Sequence, residues 1–143
     1  MSLLPVDPAR PVGAVAIKTT EVYPNKTYRM MIDDDRISGT VTDNLEAVEQ
    51  AVYKVLNTER YQYIIYSWNY GVELAELFGK PIPFVLPEIP RRIKEALTQD
   101  DRITDVTNFD LSYDKGGSVL AKFTVITIYG SLQAQKEVRI ANV

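Results

Sequence analysis

The chain has 143 residues, 45% of them hydrophobic and 24% charged, which fits one globular domain with a packed core and excludes wholesale disorder and fibrous architectures. Histidine and cysteine are absent, so Ser-His-Asp and Cys-His catalysis, Cys/His metal sites, disulfides and thiol redox chemistry are excluded. A formal charge of -3 offers no basic field for phosphate backbones, and nucleic acid is not an expected partner.

Pro5, Pro8, Pro11 and Pro24 fall in residues 1–26 without sustained periodicity, which predicts an extended or mobile arm ahead of a domain over 27–143. The apolar run 12–17 is far short of the roughly 20 residues that span a bilayer. The start of the chain also lacks the basic region and apolar core of a signal peptide. No membrane insertion is expected. From residue 27, Tyr28, Met30 and Ile32 alternate on one face and a second run follows at 37–42. This predicts a hairpin closed by Asp33, Asp34, Asp35 and Arg36, since aspartates close turns through nearby backbone amides. The same aspartates do not make a calcium loop, because no glycine stands sixth and no acid twelfth from Asp33.

Asp43 precedes Glu46 by three positions, and Leu45, Val48, Val52, Val55 and Leu56 recur at helical intervals, so a helix is predicted over 43–57. The run Tyr61, Gln62, Tyr63, Ile64, Ile65, Tyr66 predicts a strand with Tyr61, Tyr63 and Ile65 on one partly buried face. Trp68 and Tyr70, beside Gly71, read instead as a partner-contact surface, because interfaces enrich Trp and Tyr. A short helix is predicted over 72–78, stopped by Gly79. Pro81, Pro83 and Pro87 predict an extended connector before a second long helix, with Pro90 in its first turn and Ile89, Ile93, Ala96 and Leu97 as its stripe.

Beyond residue 103 the period becomes two: Thr107, Phe109, Leu111 and Tyr113 alternate up to a turn at 114–117. The returning strand, 119–129, is apolar on both faces and is expected to lie centrally. The last strand, 132–140, points Leu132, Ala134, Val138 and Ile140 inward and Gln133, Gln135, Glu137 and Arg139 outward. It is expected at a half-exposed edge, either offering its backbone to another chain or paired wholly within its own sheet. The sum is a single α+β domain, a mainly antiparallel sheet of about 4–6 strands packed with two long helices and one short one.

Glycoside hydrolysis needs only two carboxylates, and Glu73, Glu76 and Glu88 border the proline-rich connector. Exposed helix-end acids are the plainer reading of all three. After the second long helix, Asp100, Asp101 and Arg102 make either a polar turn or an arginine held by a carboxylate for docking.

Taken in order, the motifs in 45–52, 56–61, 65–67 and 70–74 resemble the XkdS-like proteins of PBSX-type defective prophages, which belong with phage contractile tails. More distantly, the order of elements through Ile93 to Arg102 and Ile103 is similar to the baseplate wedge family once labelled tail lysozyme. That family's Glu-Pro-Arg signature falls on Asp100, Asp101 and Arg102, with only the arginine retained outright. The resemblance implies a non-enzymatic structural protein of a phage or phage-like particle baseplate, made in the bacterial host cytoplasm. It would need no cofactor, dock onto other baseplate wedge proteins and help start the tail sheath protein. The rival reading is a tail-associated muramidase, and a third is a small binding domain unrelated to phage.

Overall fold

The computed structural model describes residues 26–141; the arm expected over 1–26 lies, but for Lys26, outside them. Five strands and two α-helices follow in the order β1 (Thr27–Met31), β2 (Arg36–Thr42), α1 (Asn44–Leu56), α2 (Ile82–Leu97), β3 (Ile103–Tyr113), β4 (Ser118–Thr127) and β5 (Gly130–Arg139). The fold is α+β as expected, but the described strands form two antiparallel sheets: the hairpin β1-β2 and the three-stranded β3-β4-β5.

Helix α1 begins at Asp43, whose carboxylate accepts from the Asn44 N–H at 2.8 Å. Glu46 turns to Arg29 of β1 (Nη2 to Oε2, 3.1 Å), and the Thr42 hydroxyl together with this guanidinium holds its carboxyl below the usual range. The hairpin has a register shift between Tyr28 and Met30, and Gln50 of α1 serves the backbone there. Its amide donates to the Tyr28 carbonyl and accepts from the Met30 N–H, both at 2.8 Å. A buried side chain thus satisfies groups that a bulge leaves without ladder partners.

The core lies between the helices and the larger sheet. Val48, Val52 and Leu56 of α1 join Val85, Ile89, Ile93 and Leu97 of α2 against Val106, Val119, Ala121, Phe123, Val125 and Val138. Strand β4 is central as expected, though only its Val119, Ala121, Phe123 and Val125 face is buried and Ile126 on the other is exposed; the Phe123 ring packs on Phe109 with centroids 5.3 Å apart. In β3 a register shift between Thr107 and Asp110, where Asn108 has φ 56, moves the inward face from Val106 to Phe109.

Three expectations are corrected. Residues 61–66 form no strand but a series of turns with every side chain exposed; Tyr61 sits at φ 68, and among the described residues no strand lies alongside to complete a ladder. The short helix contracts to one 3-10 turn, Ala75–Leu77, before Gly79 at φ 79. Finally, α2 starts at Ile82, so Pro87 and Pro90 both lie inside it. Interior prolines each forfeit a helical hydrogen bond, but Val85 and Ile89, fully buried on either side of Pro87, fix this stretch against the core.

Candidate docking surfaces

The segment after α1 is a compact loop whose ends meet, an arrangement frequent in functional loops. Val72 N–H donates to the Thr58 carbonyl at 3.0 Å, and Arg60 N–H to the Val72 carbonyl at 3.2 Å. The Arg60 side chain, 7% exposed, crosses the base: it donates to the Gly71 carbonyl (3.2 Å), pairs with Glu95 of α2 (3.0 Å) and reaches Glu73 (3.5 Å). Burial works against the Arg60 charge, yet these acids hold its pKa above the ordinary value. Gly71 adopts φ 98, and a Cβ there would stand 2.6 Å from the Thr58 carbonyl oxygen, so no other residue closes the base without displacement.

Fixed at its base, the loop projects Tyr61, Tyr63, Ile64, Ile65, Tyr66 and Trp68, all exposed, with Trp68 at 80%. The expectation that Tyr61, Tyr63 and Ile65 share a partly buried face is therefore overturned. The rings are ordered among themselves: Tyr66 stacks on Tyr70 with centroids 4.6 Å apart, and Tyr63 meets Tyr66 edge-on at 6.1 Å.

Trp68 and Tyr70 lie beside the predicted polar turn. Asn69 donates to Gln99 at the end of α2 (3.3 Å), and the Tyr70 hydroxyl is pushed up by burial, by Tyr66 and by the nearby Asp100 charge. Within the turn, Arg102 makes a bidentate pair with Asp100, Nε to Oδ1 at 2.9 Å and Nη2 to Oδ2 at 2.6 Å, while its backbone N–H also reaches Oδ1 at 3.0 Å. Burial would raise the Asp100 carboxyl, but these bonds outweigh it and hold it below the usual range. The pair fixes the turn, a task that the proline of the family signature would perform by ring rigidity; Asp101 stays exposed.

The remaining predicted residues form a second surface. Strand β5 is the outer strand of its sheet and pairs on one side with β4. Ile140 N–H donates to Gly117 O at 2.8 Å, and opposed residues in an antiparallel ladder alternate between bonded and non-bonded pairs. Even-numbered residues of β5 therefore bond β4. The N–H and C=O groups of Gln133, Gln135, Glu137 and Arg139 face the free edge. Their side chains are exposed, while Val138 is buried and Leu132 and Ala134 half-buried. Beside the strand runs an open groove of about 610 Å³, whose far wall is Met30 and Ile32 of the first hairpin with Gln50, Tyr53 and Leu56 of α1.

The acids weighed for glycoside hydrolysis are all ion-paired. Hydrogen bonds from Arg91 and Arg92 draw Glu88 down to about 2, Glu76 pairs with Arg92 at 3.2 Å, and Glu73 faces Arg60. A general acid for that reaction needs a raised pKa; Glu88 is moved the other way.

Sequence reasoning missed Arg60, Gln50 and the Met30/Ile32 wall. Arg60 acts with Glu73 and Glu95, thirteen and thirty-five positions away, and no spacing rule links them.

The family model for the contractile injection system sheath initiator matches residues 23–130. The phage-like element PBSX protein XkdS of Bacillus subtilis (strain 168) is 35% identical over 125 residues, covering 85% of this chain and 88% of that protein. The crystal structure of a protein described as a candidate tail lysozyme from Geobacter sulfurreducens shares the fold, with a TM-score of 0.60 at 16% identity, over 72% of this chain and 96% of that one. A chain of the anti-feeding prophage baseplate is a looser match, with a TM-score of 0.47 at 22% identity over 84% and 88%.

Proposed function

The chain belongs to the contractile injection system sheath initiators, a structural component of a contractile tail baseplate, and we propose that it performs this role through two surfaces. The free edge of β5 starts the sheath by accepting a strand of the tail sheath protein. The aromatic loop with the Asp100–Arg102 turn docks onto other baseplate wedge proteins.

One observation carries the reading: β5 turns the backbone groups of Gln133, Gln135, Glu137 and Arg139 outward along a groove that stays open among the described residues. An added strand would gain main-chain bonds at each of these positions, and the groove walls would set its register through alternate side chains. Unpaired edges are normally blunted because they invite association, and Glu137 and Arg139 supply charges that restrict which strand fits. Docking at the other surface draws on a rigid base, exposed Tyr and Trp rings and a charged pair already oriented, features typical of interface anchors.

The muramidase reading lacks the acid it needs: all three candidate carboxyls are paired with arginines, and Glu88 is drawn down to about 2 where a general acid must be raised. The direct test is seeding: purified chain added to its sheath protein should shorten the lag of sheath polymerisation, and Arg102→Ala should retain that seeding. The same substitution should weaken capture by the wedge proteins by about 2–5 kcal/mol, the usual cost of removing one partner of a desolvated charged pair. Absence of seeding by the parent chain would contradict the sheath assignment. Unimpaired wedge capture by Arg102→Ala would contradict the docking assignment.

A further inference from the structure

The aromatic loop carries a cleft that the sheath reading does not use. Its volume is about 260 Å³, and Glu59, Tyr61, Tyr63, Tyr66, Trp68 and Tyr70 line it. The walls include a stacked pair of tyrosine rings inclined by 29° and an edge-on pair at 85°, the type of surface that takes up proline-rich segments, whose apolar rings slot between aromatic side chains. A polyproline II helix repeats every three residues and leaves its carbonyls unbonded, so proline at every third position gives one apolar face and a row of free acceptors.

Such a segment exists in the same chain. Pro5, Pro8 and Pro11 stand at intervals of three in the order Pro5-Val6-Asp7-Pro8-Ala9-Arg10-Pro11, ahead of the part that the family model matches, which begins at residue 23. We propose that the cleft binds this proline repeat of the chain's own N-terminal segment as a polyproline II strand, covering Trp68 before assembly. The inference is independent of strand addition at β5 and adds a shielding step to wedge docking.

The reach is sufficient. Thr27 pairs with Thr42 just ahead of α1, and the aromatic loop follows the other end of that helix, so the distance to bridge is about 20 Å, the length of its 13 residues. The fourteen residues 12–25 span up to about 46 Å when extended. Tethering also raises the local concentration of the repeat to the order of 1 mM, enough to fill a site too weak to hold a free peptide at micromolar concentration.

Trp68 is the single tryptophan, so its fluorescence in the full chain reports the cleft alone. Acrylamide quenching is compared between the parent and a full-length Pro5→Ala/Pro8→Ala/Pro11→Ala variant, with far-UV circular dichroism and the melting temperature confirming that both fold. With a dissociation constant of about 0.5 mM, an effective concentration of the order of 1 mM leaves about one third of the cleft open, so the parent should quench about threefold less steeply, and a peptide of residues 1–14 at several mM should restore protection to the variant. Equal quenching of the two chains, whether both shielded or both exposed, overturns the proposal. Protection of the parent that fades on dilution also overturns it, because the contact would then lie between copies.

Discussion

Helix α1 and the loop that follows it are both rich in apolar side chains, yet one is built into the core and the other is held out of it. In α1, Val48, Val52 and Leu56 recur on one face and are at most 4% exposed. In the loop, Ile64 and Ile65 are 102% and 85% exposed in an apolar run without a helical period. Apolar content alone does not decide burial. Spacing lets α1 present one stripe to the sheet, whereas Arg60 and Gly71 close the loop at its base and leave its rings to stack on one another.

That contrast predicts a descending series of effects on stability. Phe123→Ala, in the centre of the core, should lower the unfolding free energy in urea by about 3–5 kcal/mol; a loss typical of surface sites would mean that the sheet face is not the core. Arg60→Met should cost less, about 1–3 kcal/mol, by leaving the Gly71 carbonyl without its donor. It should also raise amide exchange across 61–70 while sparing β4, and unchanged exchange in the loop would remove Arg60 from its role at the base.

Acid should act next. Glu88, Asp100 and Asp105 all titrate below their ordinary values when folded, so each contributes stability above its unfolded pKa and loses it as pH falls through the folded one. For Glu88 the window runs from 4.5 down to about 2. Stability measured across it should fall with decreasing pH, and Glu88→Gln should flatten the slope; an unaltered slope would show that the arginine pair does not stabilise the helix. The smallest effect belongs to the loop tip. Trp68→Ala should change stability by no more than about 0.5 kcal/mol, as at other exposed positions, and should reduce wedge capture. A larger loss of stability would place Trp68 in the core instead.

Much of this architecture was legible in the sequence because period and punctuation agreed. The alternation of β5 and the stripe of α1 reappear in the burial pattern, whereas β4 is central with only one of its two apolar faces buried, Ile126 on the other being exposed. Failures came where a partner decides the outcome. Residues 61–66 have strand-like composition, but that preference reflects fit to a pleated, half-buried surface, and no strand among the described residues supplies one here. The start of α2 was hidden because Pro87 and Pro90 act as local helix breakers, whereas the buried contacts of Val85 and Ile89 are nonlocal. In the candidate sites, the outward side chains of β5 and the exposure of Trp68 were readable, but the half-burial of Tyr70, the bidentate geometry of Arg102 and the clamp at Arg60 depend on folded distances.

The central claim is that the outward backbone of β5 starts the sheath, and paired proline substitutions test it most directly. Gln135 turns its N–H to the free edge and Lys136 turns its own toward β4, so proline at the first position should spare the sheet and at the second should break it. Sheath polymerisation seeded by folded Gln135→Pro is the measurement. The account predicts entry into the wedge with no seeding of sheath, and Lys136→Pro should fail earlier, by unfolding. Normal seeding by a well-folded Gln135→Pro chain would contradict it.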